Sequence, residues 1–362
     1  MKIVHVYKDY SPVLGGIENH IKTLAEAQAA RGHEVTVLVT QPGGLPAREM
    51  VNGVRVIRAA RFGTVASTPL SLALPWRLFR LQPDITHLHF PYPVGEVSQL
   101  LVGGKRPFVI SYHSDVVKQQ AILRLYRPVL WRVLKQADHL IAGSPNYVQS
   151  SPYLRPFAYK CTVVPYAVDP CRFQNQTSLV PPDSVPTVLF VGRHRYYKGV
   201  DDLLKAMVHV PARLLVAGDG PMRKAWEQYT AVYGLTEKVH FLGDIADSQL
   251  PALYASADIF VLPANARSEA FGKVLLEAMA AGLPCVTTEL GTGTSFVVRH
   301  EESGLVVPPG RPPALAAALN RLAAQPELRQ RMGQAGRQRV LAQFTPEKMV
   351  EGVLAVYDRV IG

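Results

Sequence analysis

Cysteine is scarce in this chain: Cys161, Cys171 and Cys285 are the 3 present in 362 residues. No C-x-x-C pair occurs among them, so neither a disulfide framework nor a structural zinc site has a basis in the sequence. No stretch approaches the roughly 18 apolar residues in a row that a membrane-spanning helix requires. The first residues, Met1-Lys2-Ile3-Val4-His5-Val6-Tyr7-Lys8-Asp9, put charges where a signal peptide carries its apolar run. The expectation is a reducing, cytoplasmic setting, with peripheral attachment to the inner face of the plasma membrane left open. No Asp-x-Asp triplet occurs either, which removes the usual paired-aspartate site for a divalent ion. The G-x-G-x-x-G turn of dinucleotide-binding dehydrogenases is missing as well.

Charge is sparse, at 19% of residues, and the hydrophobic share is 48%. That balance excludes a disordered chain, and the length points to two domains rather than one core. The basic excess is uneven. Residues 1–183 carry 20 Lys and Arg against 11 Asp and Glu, a net +9, which leaves +2 of the total +11 for the rest. The positive field therefore belongs to the first half.

Short β-branched runs bounded by turn residues predict strands at Ile3–Tyr7, Val35–Val39, Val54–Arg58, Asp84–His89, Phe108–Tyr112, His139–Ala142 and Thr162–Val164. A helical pattern at Ile17–Ala30 joins the first two as a βαβ unit. Apolar periodicity lapses between Pro165 and Pro186, then restarts with strands at Thr187–Val191, Leu214–Ala217, Val239–Leu242, Ile259–Leu262, Cys285–Thr287 and Leu305–Val307. Helical patterns such as Met222–Tyr233 and Lys273–Ala281 separate them. Three proline-led helices close the chain, Pro313–Ala324, Pro326–Gln343 and Pro346–Ile361. The reading is α/β: two doubly wound, Rossmann-like domains at 1–168 and 187–345, a linker at 169–186, and a last helix at 346–362.

Three segments carry candidate chemistry. Gly15-Gly16 precede the first helix, where bare backbone can approach an anion at the helix N-terminus, although the same pair also suits an ordinary turn. Gly192-Arg193-His194-Arg195-Tyr196-Tyr197-Lys198-Gly199 follows a strand with a planar guanidinium and a point charge, which suits a diphosphate and equally suits a solvated basic loop. In Glu269-Ala270-Phe271-Gly272-Lys273-Val274-Leu275-Leu276-Glu277 one carboxylate falls in a loop and one inside a helix, both able to accept hydroxyl protons. Gly272 opens that helix with unpaired N–H groups.

Together with Gly218-Asp219-Gly220-Pro221, these segments resemble the marks of retaining GT-B glycosyltransferases, family 4, in order along essentially the whole chain. The resemblance implies two Rossmann-like domains facing a central cleft, with the last helix crossing back to the first domain. It implies that Arg193 and Lys198 hold the diphosphate of a nucleotide-sugar donor and that Glu277 holds the ribose. Glu269, with Ala270, Phe271, Gly272 and Lys273, would hold the transferred sugar, while Gly15, Gly16 and Gly218 let backbone come close to the donor. In Ile110-Ser111-Tyr112-His113-Ser114-Asp115, His113 matches the family's strand-end histidine beside the reacting sugar, so His113 and Glu269 are the catalytic candidates. No metal and no other cofactor is implied, two cations replacing the ion. Transfer would run on one face of the sugar, the departing phosphate helping to take the acceptor proton; a covalent Glu269 nucleophile is the alternative mechanism.

Thr288–Phe296 and His113–Gln119 are similar to segments of bacterial mannosyl- and rhamnosyltransferases that build O-antigen and exopolysaccharide. That likeness implies a GDP-linked hexose as donor, with a UDP-sugar as the alternative. The basic first half suggests docking on anionic lipid and a polyprenyl-diphosphate-linked glycan as acceptor. In Lys118–Lys135 the residues Ile122, Leu125, Tyr126, Val129, Leu130, Val133 and Leu134 form an apolar stripe among basic side chains, which fits either a membrane surface or the core, and Pro128 should kink or divide that helix. A nucleic-acid partner is not expected, for want of an aromatic-rich sheet, a zinc spacing or an Arg-rich arm. A GT-B epimerase or phosphorylase is the nearer rival.

Overall fold

The computed structural model describes residues 1–13, 15–41, 47–65, 68–116, 120–181 and 184–362, and the side chains of these apart from residues 120–122. Leu14 of the first glycine loop, Val117, Lys118 and Gln119 of the basic segment, and the Ile122 side chain lie outside the described set. The chain divides into two compact units, Met1–Tyr166 with Pro346–Gly362, and Ala167–Thr345.

The first unit contains β1 (Lys2–Val6), β2 (Glu34–Thr40), β3 (Arg48–Val51), β4 (Val54–Ala59), β5 (Gly63–Val65), β6 (Thr68–Leu70), β7 (Ile85–Phe90), β8 (Phe108–Tyr112), β9 (His139–Ala142) and β10 (Cys161–Val163). Its main sheet runs β10-β9-β8-β7-β1-β2-β4-β3. Only the edge pair β3 and β4 is antiparallel. β5 and β6 form a separate hairpin. The parallel strands are buried on both faces, as their unbroken Val, Ile and Leu content requires: Ile3, Val37, Leu38, Val39, Ile85 and Val109 are all nearly inaccessible. The terminal helix, Pro346–Ile361, packs on the helix Gly16–Ala30 of this unit.

The second unit contains β11 (Thr187–Val191), β12 (Arg213–Ala217), β13 (Val239–Gly243), β14 (Ile259–Leu262), β15 (Cys285–Thr288) and β16 (Gly304–Val307). They lie in the order β13-β12-β11-β14-β15-β16, and every pair is parallel. Numbered within the unit this is the 3-2-1-4-5-6 order of a dinucleotide-type doubly wound sheet. Such sheets bind ligands outside the strand C-termini where the order reverses, here the ends of β11 and β14, and in the first unit the ends of β1 and β7.

Three details differ from expectation. The described residues of 169–186, read as a linker, belong to the second unit: the short helix Pro170–Phe173 lies against the helix Lys273–Ala280, and Leu179 N–H donates to Ala252 O at 3.1 Å. The helix Gln120–Gln136 continues through Pro128 as one element. Leu130, Val133 and Leu134 are buried beneath it, and that burial offsets the donor which the proline removes. The stripe is thus largely core-facing, with Leu125 its exposed exception. Finally β3, β5 and β6 have no counterpart in the sequence reading. Among the described residues, no helix is long and apolar enough to cross a membrane.

One C-terminal helix, Pro326–Gln343, closes the second unit by near contact of backbones. A Cβ at Gly333, in the helix Pro326–Gln343, would stand 1.9 Å from the Gly282 carbonyl oxygen, whereas one at Gly336 would meet the flexible Met279 side chain at 3.2 Å. Gly333→Ala should therefore cost about 2 kcal/mol in urea unfolding and Gly336→Ala clearly less. Two equally small effects would mean that the helix can shift to admit a methyl group.

Candidate functional site

At the switch point of the second unit, four strand-end loops are tied by backbone and buried side chains. After β11 the chain turns at Gly192 (φ +155°) and reaches Gly199 (φ +68°), which opens the helix Val200–Met207. A Cβ on Gly199 would stand 2.1 Å from the Pro263 carbonyl oxygen in the loop after β14. Asn265 N–H in that loop donates to Tyr197 O at 3.0 Å. After β12, a Cβ on Gly218 would strike Gly192 O at 2.2 Å. Only glycine allows both approaches.

Inside this frame the Lys198 ammonium meets the Glu269 carboxylate at 2.6 Å, both side chains nearly buried. The second Glu269 oxygen accepts the Gly272 N–H at 3.0 Å, and Thr292 Oγ1 donates to Glu269 O at 2.9 Å. Burial alone would lower the Lys198 pKa; the Glu269 carboxylate, with lesser help from Tyr197 and Glu277, outweighs it and holds the pKa above the usual lysine value. Gly272 is left-handed (φ +82°) at the start of the helix Lys273–Ala280. Phe271 is buried, and Gly293 N–H donates to Ala270 O at 2.8 Å, which brings the loop after β15 against this turn.

Glu277, one helical turn beyond Lys273, is half-buried and accepts the Tyr254 O–H at 2.8 Å. Burial raises its pKa, an effect that Lys273 and the tyrosine hydrogen bond oppose. Arg193 is exposed at the start of the same loop system. Arg193, Lys198, Gly218, Glu269, Ala270, Phe271, Gly272, Lys273 and Glu277 thus all sit at the strand C-termini of one sheet. The sequence reading treats Lys198 and Glu269 as separate donor contacts, but here they neutralise each other, and Arg193, like Arg195 beside it, remains exposed.

Gly15, Gly16 and His113 belong to the first unit. Gly15 is extended (φ −178°), a conformation open to any residue; what a Cβ there would meet is the Glu18 carboxylate, at 2.0 Å. That acid lies in the first turn and so faces the positive end of its own helix. A Cβ on Gly16 would meet nothing within 4 Å.

His113 follows β8 and ends a file of buried rings. His113 Nε2 is 3.0 Å from His89 Nδ1, and His89 Nε2 is 3.0 Å from His5 Nδ1. His5 Nε2 is 2.7 Å from Gln28 Oε1, while His113 Nδ1 is hydrogen-bonded to the Tyr166 hydroxyl. His87 lies alongside, bonded to Tyr357 at 2.5 Å and Ser111 at 2.7 Å. Burial pushes His5 down to about 4 and His113 down to about 3, and lowers His87 and His89 well below the ordinary histidine value. All four are neutral at physiological pH. The nitrogens of His5, His87 and His89, and of His20, His89 and His113, lie within 4.8 Å of one another, close enough for a metal. Those of His5, His87, His89 and His113 are already engaged in the hydrogen bonds above.

The sequence reading finds His113 and misses the rest of the file. The available signal is Ile85-Thr86-His87-Leu88-His89-Phe90, two histidines at strand spacing in an apolar run, which must share one face.

Two parallel doubly wound sheets, with a charged, glycine-lined loop cluster at the switch point of the second, match a known pair of family models. Residues 14–172 match "Glycosyltransferase Family 4" and residues 172–339 match "Glycosyl transferases group 1". The chain belongs to this family of GT-B glycosyltransferases and is a glycosyltransferase. It is 36% identical over 356 residues to D-rhamnosyltransferase WbpZ of Pseudomonas aeruginosa, covering 95% of this chain and 92% of that protein. It is 34% identical over 368 residues to O-antigen chain mannosyltransferase C of Escherichia coli, covering 100% and 99%. Among solved structures it resembles sucrose-phosphate synthase from Thermosynechococcus elongatus, with a TM-score of 0.84 and 26% identity over 99% and 98% of the two chains.

The buried ion pair sets a stability expectation. Lys198→Met leaves the Glu269 carboxylate buried without its cation and should cost about 3–5 kcal/mol, while the double variant Lys198→Met/Glu269→Gln should recover much of that loss. Chemical denaturation of the set checks this: strictly additive losses would mean that the two groups do not depend on each other.

Proposed function

We propose that this glycosyltransferase transfers mannose or rhamnose from a GDP-linked donor to a lipid-linked glycan in bacterial O-antigen or exopolysaccharide synthesis, with retention and without a metal ion. The observation that carries the reading is the near full-length identity, 36% and 34%, to proteins named for rhamnosyl and O-antigen mannosyl transfer. A UDP-sugar donor is the second reading, since nothing at the site described above reads a nucleotide base.

In this reading the second unit holds the donor. Arg193 takes the diphosphate directly, and Lys198 shares its charge between Glu269 and the leaving phosphate as negative charge develops there. Glu277, already bound to one hydroxyl at 2.8 Å, takes those of the ribose. Glu269 and the backbone of Ala270–Gly272 hold the transferred sugar. Both Glu269 oxygens are engaged, one by an ammonium and one by an N–H, which favours a binding role over a nucleophilic one. His113, neutral and buried, contacts the sugar by hydrogen bonding, and Gly15 and Gly16 leave room for the donor beside the first helix.

Thermal shift in EDTA tests the donor assignment. GDP-mannose or GDP-rhamnose at a hundredfold excess over Kd should add about 3 kcal/mol of stability, and Arg193→Ala and Glu277→Ala should each remove most of the gain. A gain with UDP-glucose alone would replace the GDP assignment, and a requirement for added divalent ion would overturn metal independence.

Attachment to anionic lipid is best supported at the helix Ala73–Leu81. Leu74 and Leu78 face inward, while Leu72, Trp76 and Phe79 are exposed by 83%, 55% and 51%, with Arg77 and Arg80 against the Trp76 ring. Exposed aromatics between cations suit a lipid interface. Co-sedimentation should recover the protein with anionic rather than neutral vesicles, and Trp76→Ser/Phe79→Ser should abolish the difference. Equal recovery from both vesicle types, insensitive to salt, would overturn the attachment.

A further inference from the structure

The histidine file of the first unit has a proton order that its Gln28 end dictates. Gln28 Nε2 donates to the Tyr357 hydroxyl at 3.5 Å, which turns Gln28 Oε1 to His5 Nε2 at 2.7 Å. An amide oxygen only accepts, so His5 carries its proton on Nε2 and presents Nδ1 as an acceptor. His89 Nε2, 3.0 Å from that acceptor, must then be the N–H, and its Nδ1 the acceptor. By the same step His113 carries its proton on Nε2, 3.0 Å from His89 Nδ1. His113 Nδ1 is left as an acceptor, and the Tyr166 O–H donates to it. One amide at one end thus fixes the tautomer of three rings, and the phenol at the other end, able to donate or accept, fits it.

We propose that Gln28, His5 and His89 are positioning residues that hold His113 as its Nε2–H tautomer, so that Nδ1 accepts from a hydroxyl of the transferred sugar, a place the Tyr166 O–H fills until that hydroxyl displaces it. This rests on the reading of His113 as a sugar contact. A neutral imidazole has one donor and one acceptor, and which nitrogen does which is set by the partner of the other. Burial keeps the file neutral, so no ring carries the second proton that would erase the order. The planes of the His89 and His113 rings are 7° from parallel with centroids 5.3 Å apart, and His89 stacks on His87 at 4.3 Å, so neighbouring rings restrain one another. The result is an uncharged acceptor with one direction. Such a group fits a hydroxyl and gives no advantage to a phosphate.

The test is the side-chain nitrogen spectrum of the full-length protein labelled with 15N-histidine, with His113 assigned by its loss in His113→Gln. The wild type should show His113 as Nε2–H, and Tyr166→Phe should keep that tautomer because the order is imposed from Gln28. Gln28→Met, which cannot accept, should give His113 in mixed tautomers, with kcat down about three- to tenfold and donor KM within about twofold. An Nδ1–H His113 in the wild type, or an unmixed Nε2–H His113 in a folded Gln28→Met protein, overturns the proposal. Should Gln28→Met not fold, the wild-type and Tyr166→Phe spectra decide. Full transfer activity in His113→Ala would instead overturn the sugar-contact reading, an outcome separate from the tautomer measured in the wild-type spectrum.

Discussion

The ion pair between Lys198 and Glu269 is the interaction on which the donor-side architecture depends. A lysine and a glutamate held at 2.6 Å out of water are each costly alone, so the loops that carry them must stay together. Those loops follow β11 and β14, the two strands at which the sheet order reverses. The close approach of Gly199 to Pro263 O and the left-handed turn at Gly272 become necessary once that pair is fixed. Charge pairing, glycine placement and topology therefore describe one constraint at three scales.

That constraint also changes how the cations are to be understood. A lysine in a basic loop reads from sequence as a free charge offered to a ligand. Here its field is largely spent on Glu269, with Glu277 adding to the same effect. The pair itself is accordingly near neutral before a ligand arrives, while Arg193 and Arg195 project charge into solvent. A ligand phosphate would draw on the pair by polarising it rather than by finding a lone ammonium. Preorganised charge of that kind costs little reorganisation during reaction.

Much of this was legible before any coordinates. Parallel strands buried on both faces must be continuous apolar runs, so their positions in the sequence agree with the structure within about a residue or two. β3 escaped because Arg48-Glu49-Met50-Val51 is a short, polar edge strand with no such run. Tyr254, the partner of Glu277, could not be read, since 23 residues and a strand separate two groups that only the fold brings together. Pro128 does not divide its helix, because Leu130, Val133 and Leu134 anchor the next turns, which the local rule against proline takes no account of. The histidine file lay between these cases: His87 and His89 announce a shared face, but His5 joins them only through the pairing of β1 with β7.

The loop cluster of the second unit and the histidine file of the first handle buried polar groups in opposite ways. In the second, a full ionic pair is kept dry, and its electrostatic field is available to a charged group. In the histidine file of the first, the buried polar groups are neutral rings held by hydrogen bonds at both nitrogens, so the file itself offers no charge to an anion. Burial drives that choice: a ring that kept its second proton would bring an uncompensated charge against its neighbours at 3.0 Å. Neutrality then makes direction the only remaining information, because a file of imidazoles can point its acceptors one way or the other. The Gln28 amide breaks that symmetry, and it can do so only because Tyr357 on the terminal helix takes its N–H. Residues at the two ends of the chain thus converge on the orientation of a single proton at His113.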